Sequence, residues 1–228
     1  MTDVSVTLGD LVADDPGAAR VLDRYGLDFC CHGDRTLHDA CTEAGIDAAD
    51  VEAALADAPT GGDASWTALD PPALADHIVT THHRYLDDEL PALVALADKV
   101  LTVHGARHPE LADVSRLVVA LVDDLVPHLR KEERVLFPAI HALAAGRRDL
   151  HFGPVENPIR MMGFEHERAG DLLAALRQAT DGYRVPDDGC ASYRSLYERL
   201  EALELDTHLH IHKENHVLFP AAIRLAEG

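Results

Sequence analysis

Two stretches of the chain, HLRKEERVLFPAI at residues 128–140 and HIHKENHVLFPAA at 210–222, place a histidine four residues before a glutamate and end on the same apolar exit. On a helix, residues i and i+4 project from one face with Cβ atoms about 6 Å apart, so His128 with Glu132, and His210 with Glu214, can each aim at one point. The two stretches are offset by 82 residues. Carried backward, the repeat reaches His83 in HHRYLDDELPAL and His166 in EHERAGDLLAAL, 45 and 44 residues ahead of His128 and His210. Four imidazoles and two carboxylates meeting inside a protein are prohibitive without a cation, because each buried carboxylate carries an effective desolvation cost of several kcal/mol. Two ions supply the missing charge.

Six protein ligands over two metals leave three for each, or four if Glu132 and Glu214 both bridge, so positions stay open for small molecules. Mixed nitrogen and oxygen ligation without thiolate argues for iron or manganese over a closed, cysteine-rich structural zinc site, and iron is the expectation. A bridged pair of this kind stands about 3.5–4 Å apart. A rival stripe exists in the last helix at His208, His212 and His216, but the equivalent positions of the first repeat are Val126, Arg130 and Arg134. That stripe is read as a solvated or supporting face. His77, His82, His104, His108, His141 and His151 have no counterpart in the repeat and are given no role.

The elements that must carry these residues read as helical almost throughout, with long periodic stretches at roughly 71–103, 110–145, 158–181 and 188–226. HGARHPE, GRRDLHFGPVENP and TDGYRVPDDG separate them, and such connections favour antiparallel neighbours. The expected fold is all-α, an up-down four-helix bundle over 66–228. Pro91, Pro127, Pro138 and Pro220 are expected to interrupt or end its helices. Before it, TLGDLVADD, PGAARVLDRYG, TLHDACTEAG and DAADVEAALAD predict four short helices, a small cysteine-bearing domain over 1–58. APTGGDAS places a linker at 59–65.

Composition narrows the partners. A net charge of -20 makes nucleic acid and anionic membranes poor ones. The opening MTDVSVTLGD has no basic n-region or apolar core, and nowhere do about 18 apolar residues run together, so a cytoplasmic protein is expected. Four cysteines, two of them adjacent, do not make a disulfide framework in a chain of 228 residues.

With the duplicated H-x-x-x-E and V-L-F-P motifs and DFCCHGDRTL in the leading segment, the chain resembles the iron-sulfur cluster repair di-iron proteins, the RIC family, from end to end. That resemblance implies a hemerythrin-like bundle whose two irons are held by His83, His128, Glu132, His166, His210 and Glu214, the set given independently by the repeat. It implies repair or protection of iron-sulfur proteins damaged by nitrosative or oxidative stress, through iron donation or reaction with nitric oxide or nitrite. The alternative is a hemerythrin-like oxygen or iron binder or sensor without turnover. Oxygen-carrying hemerythrins use a further histidine one turn along the third helix, where this chain has Met162 and Gly170 on either side of His166. One imidazole fewer suits nitrogen oxides or iron release better than reversible oxygen carriage.

Cys30 and Cys31 match the family's vicinal pair. Adjacent cysteines close only a strained ring, so a thiol relay, metal handling, or an intermolecular disulfide and with it a homodimer, is chemically easier. His32 beside them is placed to lower a thiol pKa. Cys41 and Cys190 are read as structural.

Overall fold

The structure, a computed structural model, describes residues 6–58 and 64–227. Among them there is no strand, only an isolated bridge between Thr7 and Thr36. Four short helices come first: α1 (Leu8–Asp14), α2 (Ala18–Arg24), α3 (Leu37–Ala44) and α4 (Ala48–Asp57). Their starts are set by side chains that satisfy the orphan amides of a first turn. Thr7 and Asp10 form a reciprocal capping box, and Thr36 and Asp47 cap α3 and α4. Gly26 and Gly45 end α2 and α3 at positive φ, 66° and 70°.

Four long helical segments follow. The first is α5 (Pro71–Ile78) continued by α6 (Arg84–His104), and the second is α7 (Glu110–Lys131) continued by α8 (Phe137–Ala144). The third is α9 (Glu156–Ala179), and the fourth is α10 (Ala191–His212) continued by α11 (Phe219–Glu227). Asp70 caps the first, with Pro71 at a position where the missing N–H costs nothing.

At the joins in the first, second and fourth segments the backbone widens into a π turn, at Val79–His83, Glu132–Leu136 and Lys213–Leu218. There the Phe137 and Phe219 amides reach back five residues to the Glu132 and Glu214 carbonyls. Pro138 and Pro220 come next, and a proline has no N–H to donate to the carbonyl four residues earlier. Pro91 and Pro127 depart from the expectation that every proline would interrupt: both lie inside continuous helix.

The core of the first four helices is continuous with that of the long helices, running from Leu8, Leu22 and Phe29 to Leu86, Leu173, Leu200 and Ile211. A second apolar cluster, with Phe137, Met162, Leu218 and Phe219, closes the opposite end. The sequence boundary at 59–65 falls mostly on residues 59–63, outside the described residues.

The loop carrying the vicinal cysteines is fixed to both α1 and α10. The Leu8 and Gly9 amides donate to the Arg35 and Gly33 carbonyls at 2.9 and 2.8 Å. Gly33 permits this closeness, since a Cβ there would meet the Phe29 carbonyl at 2.2 Å and His216 Nε2 at 2.6 Å.

Candidate metal centre

Each long helical segment delivers one histidine to a single buried point, and the second and fourth add a glutamate from the π turn. His83, His128, Glu132, His166, His210 and Glu214 are all at most 2% exposed. They divide into two overlapping groups, His83 with His210 and His128 with His166, each including both Glu132 and Glu214. Each half of the repeat therefore supplies one histidine to either group. Within the cluster, Glu132 places Oε2 at 3.4 and 3.8 Å from Nε2 of His83 and His210, and Oε1 at 3.2 and 4.0 Å from Nε2 of His128 and His166. Glu214 repeats the pattern, with Oε1 3.3 Å from His210 and Oε2 3.1 Å from His166.

The outward nitrogens show which faces of the rings are free. His83 Nδ1 lies 3.0 Å from Glu133, His128 Nδ1 2.9 Å from Glu165, and His166 Nδ1 2.9 Å from the Asn215 side-chain oxygen. With Nδ1–H donated outward, each Nε2 presents a bare lone pair inward. The Nε2 atoms of His128 and His166 then face each other at 3.2 Å. Two lone pairs at that distance repel unless a cation lies between them, and two imidazole nitrogens about 2.1 Å from one metal stand roughly 3.0–3.4 Å apart. Both oxygens of Glu132 and of Glu214, and Nε2 of His83 and His210, are buried without a hydrogen-bond partner among the described residues. In a folded protein such orphans call for an ion.

Electrostatics within the cluster agree. Burial pushes Glu132 and Glu214 up, yet the imidazoles facing them outweigh it and hold both below the usual carboxylate range. Burial likewise opposes charge on His128, but the Glu132 carboxylate beside it raises the ring to about 10 when no metal is bound, so that a proton then takes the Nε2 lone pair an ion would otherwise occupy. Negative oxygens thus demand positive partners, protons or metal.

Glu133, Glu165 and Asn215 were not singled out by sequence. The signal was present, since Glu133 and Asn215 occupy the same place in the repeat, each directly after its glutamate, and each orients the histidine of the preceding segment. His82 stands where the second half has Glu165. Buried and stacked on His210 at 5.5 Å, it accepts from Lys213 Nζ at 2.8 Å and donates through Nδ1 to Asp206 at 2.9 Å.

His208, His212 and His216 do not form a solvated face. His208 pairs with Asp23 at 2.8 Å, and His212 and His216 reach the carbonyls of Phe29 and Cys30 at 3.4 and 3.2 Å. They receive the leading helices, a partner invisible in local sequence. Cys190 also departs from expectation, being exposed and 3.1 Å from His104 Nε2, whereas Cys41 is buried.

Cys30 and Cys31 lie against the bundle. Asn215 Nδ2 donates to the Cys30 carbonyl at 3.0 Å, so one carboxamide touches both this loop and His166. Gly170 makes room on α9, its Cβ position being 3.9 Å from Cys31 Sγ. Hydrogen bonding to Cys31 and burial push the Cys30 thiol up. Burial also pushes Asp28 upward, but hydrogen bonds from His32 and the Cys31 amide prevail and hold it at about 2.

Residues 74–222 match the Hemerythrin HHE cation binding domain, and residues 4–59 match ScdA_N, a domain of unknown function. A Musicola paradisiaca protein named iron-sulfur cluster repair protein YtfE is 35% identical, with 96% of this chain and 96% of the relative covered. A Staphylococcus haemolyticus protein named iron-sulfur cluster repair protein ScdA is 32% identical, covering 93% and 95%. Matched along nearly its whole length, with a cation-binding hemerythrin domain behind an ScdA-type leader, the chain belongs to the family of iron-sulfur cluster repair proteins of the YtfE and ScdA type.

Proposed function

We propose that the bundle holds two iron ions, one between His83 and His210 and one between His128 and His166, with Glu132 and Glu214 shared by both. The observation that carries this is the sharing itself: each carboxylate turns one oxygen to each histidine pair. Ligand chemistry supports iron over zinc, since the cluster holds no thiolate and offers its carboxylates for bridging.

On this reading the chain serves repair or protection of iron-sulfur centres, the role printed in the names of its relatives. Bound iron would supply redox chemistry toward nitric oxide or nitrite and a store of metal for damaged clusters. The protein's part is to hold and to exclude. Glu133, Glu165 and Asn215 fix three rings with Nε2 inward, and Phe137 and Phe219 stack on His83 and His166 at 5.6 and 5.9 Å, closing one side to water. Met162 is buried in the apolar cluster and Gly170 has no side chain, so no further imidazole is offered beside His166.

Iron analysis of protein prepared without oxygen should give about two irons per chain, and reactivation of an oxidised or nitrosylated cluster enzyme should follow addition of the iron-loaded protein. One zinc per chain defeats the metal assignment. A stable, reversible oxygen adduct with neither nitric oxide turnover nor repair defeats the function.

A further inference from the structure

The cleft between the leading helices and the bundle, a cavity of about 410 Å³ lined by Cys30, Cys31, His32, Glu167, Gly170 and His208 among others, contains a further group of metal-binding type. Its members are Asp28, Cys30 and Cys31. Both thiols are free, and their sulfurs stand 3.8 Å apart, too far for the roughly 2.05 Å of a disulfide. Two sulfurs each about 2.3 Å from one tetrahedral metal are separated by about 3.8 Å. Asp28 Oδ1 lies 3.3 Å from Cys30 Sγ, close to the roughly 3.5 Å that a thiolate and a carboxylate show on a shared tetrahedral ion. The amides of Cys30 and Cys31 donate to that same oxygen at 3.0 and 2.8 Å, and His32 Nδ1 holds Oδ2 at 2.6 Å, so the carboxylate is locked in place.

We propose that Asp28, Cys30 and Cys31 form a second metal site that takes one divalent first-row ion, ferrous iron on the functional reading above. Coordination replaces the two thiol protons, which leave to solvent, and the fourth position opens on the cleft. Glu167 and Asp171 on the opposite wall favour a cation there. The site abuts the bundle's centre: Gly170, against Cys31, is one turn beyond His166, and Asn215 bridges the Cys30 carbonyl to His166 by two hydrogen bonds. An ion leaving imidazole and carboxylate ligands would meet thiolates next, the ligand type that a recipient cluster protein also presents.

The probe is cobalt(II), added to full-length, iron-loaded protein carrying Cys190→Ser to remove the exposed thiol. One equivalent should bind with a near-ultraviolet thiolate-to-cobalt charge-transfer band, which the thiolate-free bundle cannot produce, and ferrous iron in large excess should compete it away, cobalt being the tighter-binding of the two ions. Cys31→Ser should lower cobalt affinity at least tenfold and weaken the band. Asp28→Asn should keep the band and lower affinity. Cys30 is buried and its replacement carries a folding risk, so Cys31, half-buried at the cleft, decides, with helical circular dichroism as control. Absence of a thiolate band in the parent, or a band unchanged in Cys31→Ser, overturns the proposal. Failure of the bundle to hold iron shows separately in metal analysis and leaves the cobalt result standing.

Discussion

Asn215 does two jobs with one carboxamide, accepting from His166 Nδ1 at 2.9 Å and donating to the Cys30 carbonyl at 3.0 Å. The two roles separate by substitution. Asn215→Leu keeps the volume but leaves His166 without its outer acceptor, and the loss of such a partner weakens metal binding about 10–100-fold. Asn215→Asp keeps the acceptor and removes the donor, so metal affinity should hold while amide exchange in residues 28–33 quickens. Equal metal loss in both would mean that His166 is not oriented through the oxygen. Cys190 offers a second test at this scale. A hydrogen bond from the Tyr193 amide and another from His104 lower its thiol from 9.0 to about 7. A lowered value means thiolate at lower pH, so alkylation of Cys190 should rise as pH passes about 7, with buried Cys41 unreactive. His104→Gln should move that midpoint upward; an unchanged midpoint would show that the backbone alone sets it.

At the scale of elements, α10 and its π turn present two faces with opposite duties. His210 shares the inner face with Glu214, whereas His212 is fully buried against Phe29 and Trp66, with ring centroids 5.9 Å away in both cases. His210→Ala should therefore cost a metal, while His212→Ala should leave metal content intact and loosen the leading helices, seen as faster proteolysis there. Equal metal loss would place the wrong residue in the centre. The convergence of these four histidines and two glutamates was legible in sequence because a duplicated pattern marks positions independently of fold. The three π turns were not, since a single extra residue in a turn leaves no periodic trace, although the VLFPA exits mark two of them. Nor was the docking role of His208, His212 and His216. Imidazoles against carbonyls and a carboxylate look, in sequence, like any polar helix face.

For the whole molecule, the question is how far the centre depends on the leading helices. Every candidate ligand of the bundle's own centre lies between His83 and Glu214, and the outer acceptors Glu133, Glu165 and Asn215 belong to the same helical segments. Yet the apolar core runs continuously from Leu8 to Ile211. Loss of Phe29 packing alone, by Phe29→Ala, should cost about 3–5 kcal/mol, the usual range for a buried phenylalanine. Removal of residues 1–58 would uncover apolar surface of that core together with His208, His212 and His216, which water can solvate. A bundle of about 160 residues is large enough for its own core. The truncated protein should then retain its helical dichroism, its two irons and their spectrum, with a lower melting temperature than the full chain. Repair should fall, since the vicinal thiols are gone while the iron centre remains. Iron content, melting temperature and reactivation of a damaged cluster enzyme, measured on the full-length, truncated and Cys30→Ser/Cys31→Ser proteins, separate these dependences. Iron lost on truncation would make the two regions one structural unit, and undiminished repair by all three would remove the thiols from the chemistry.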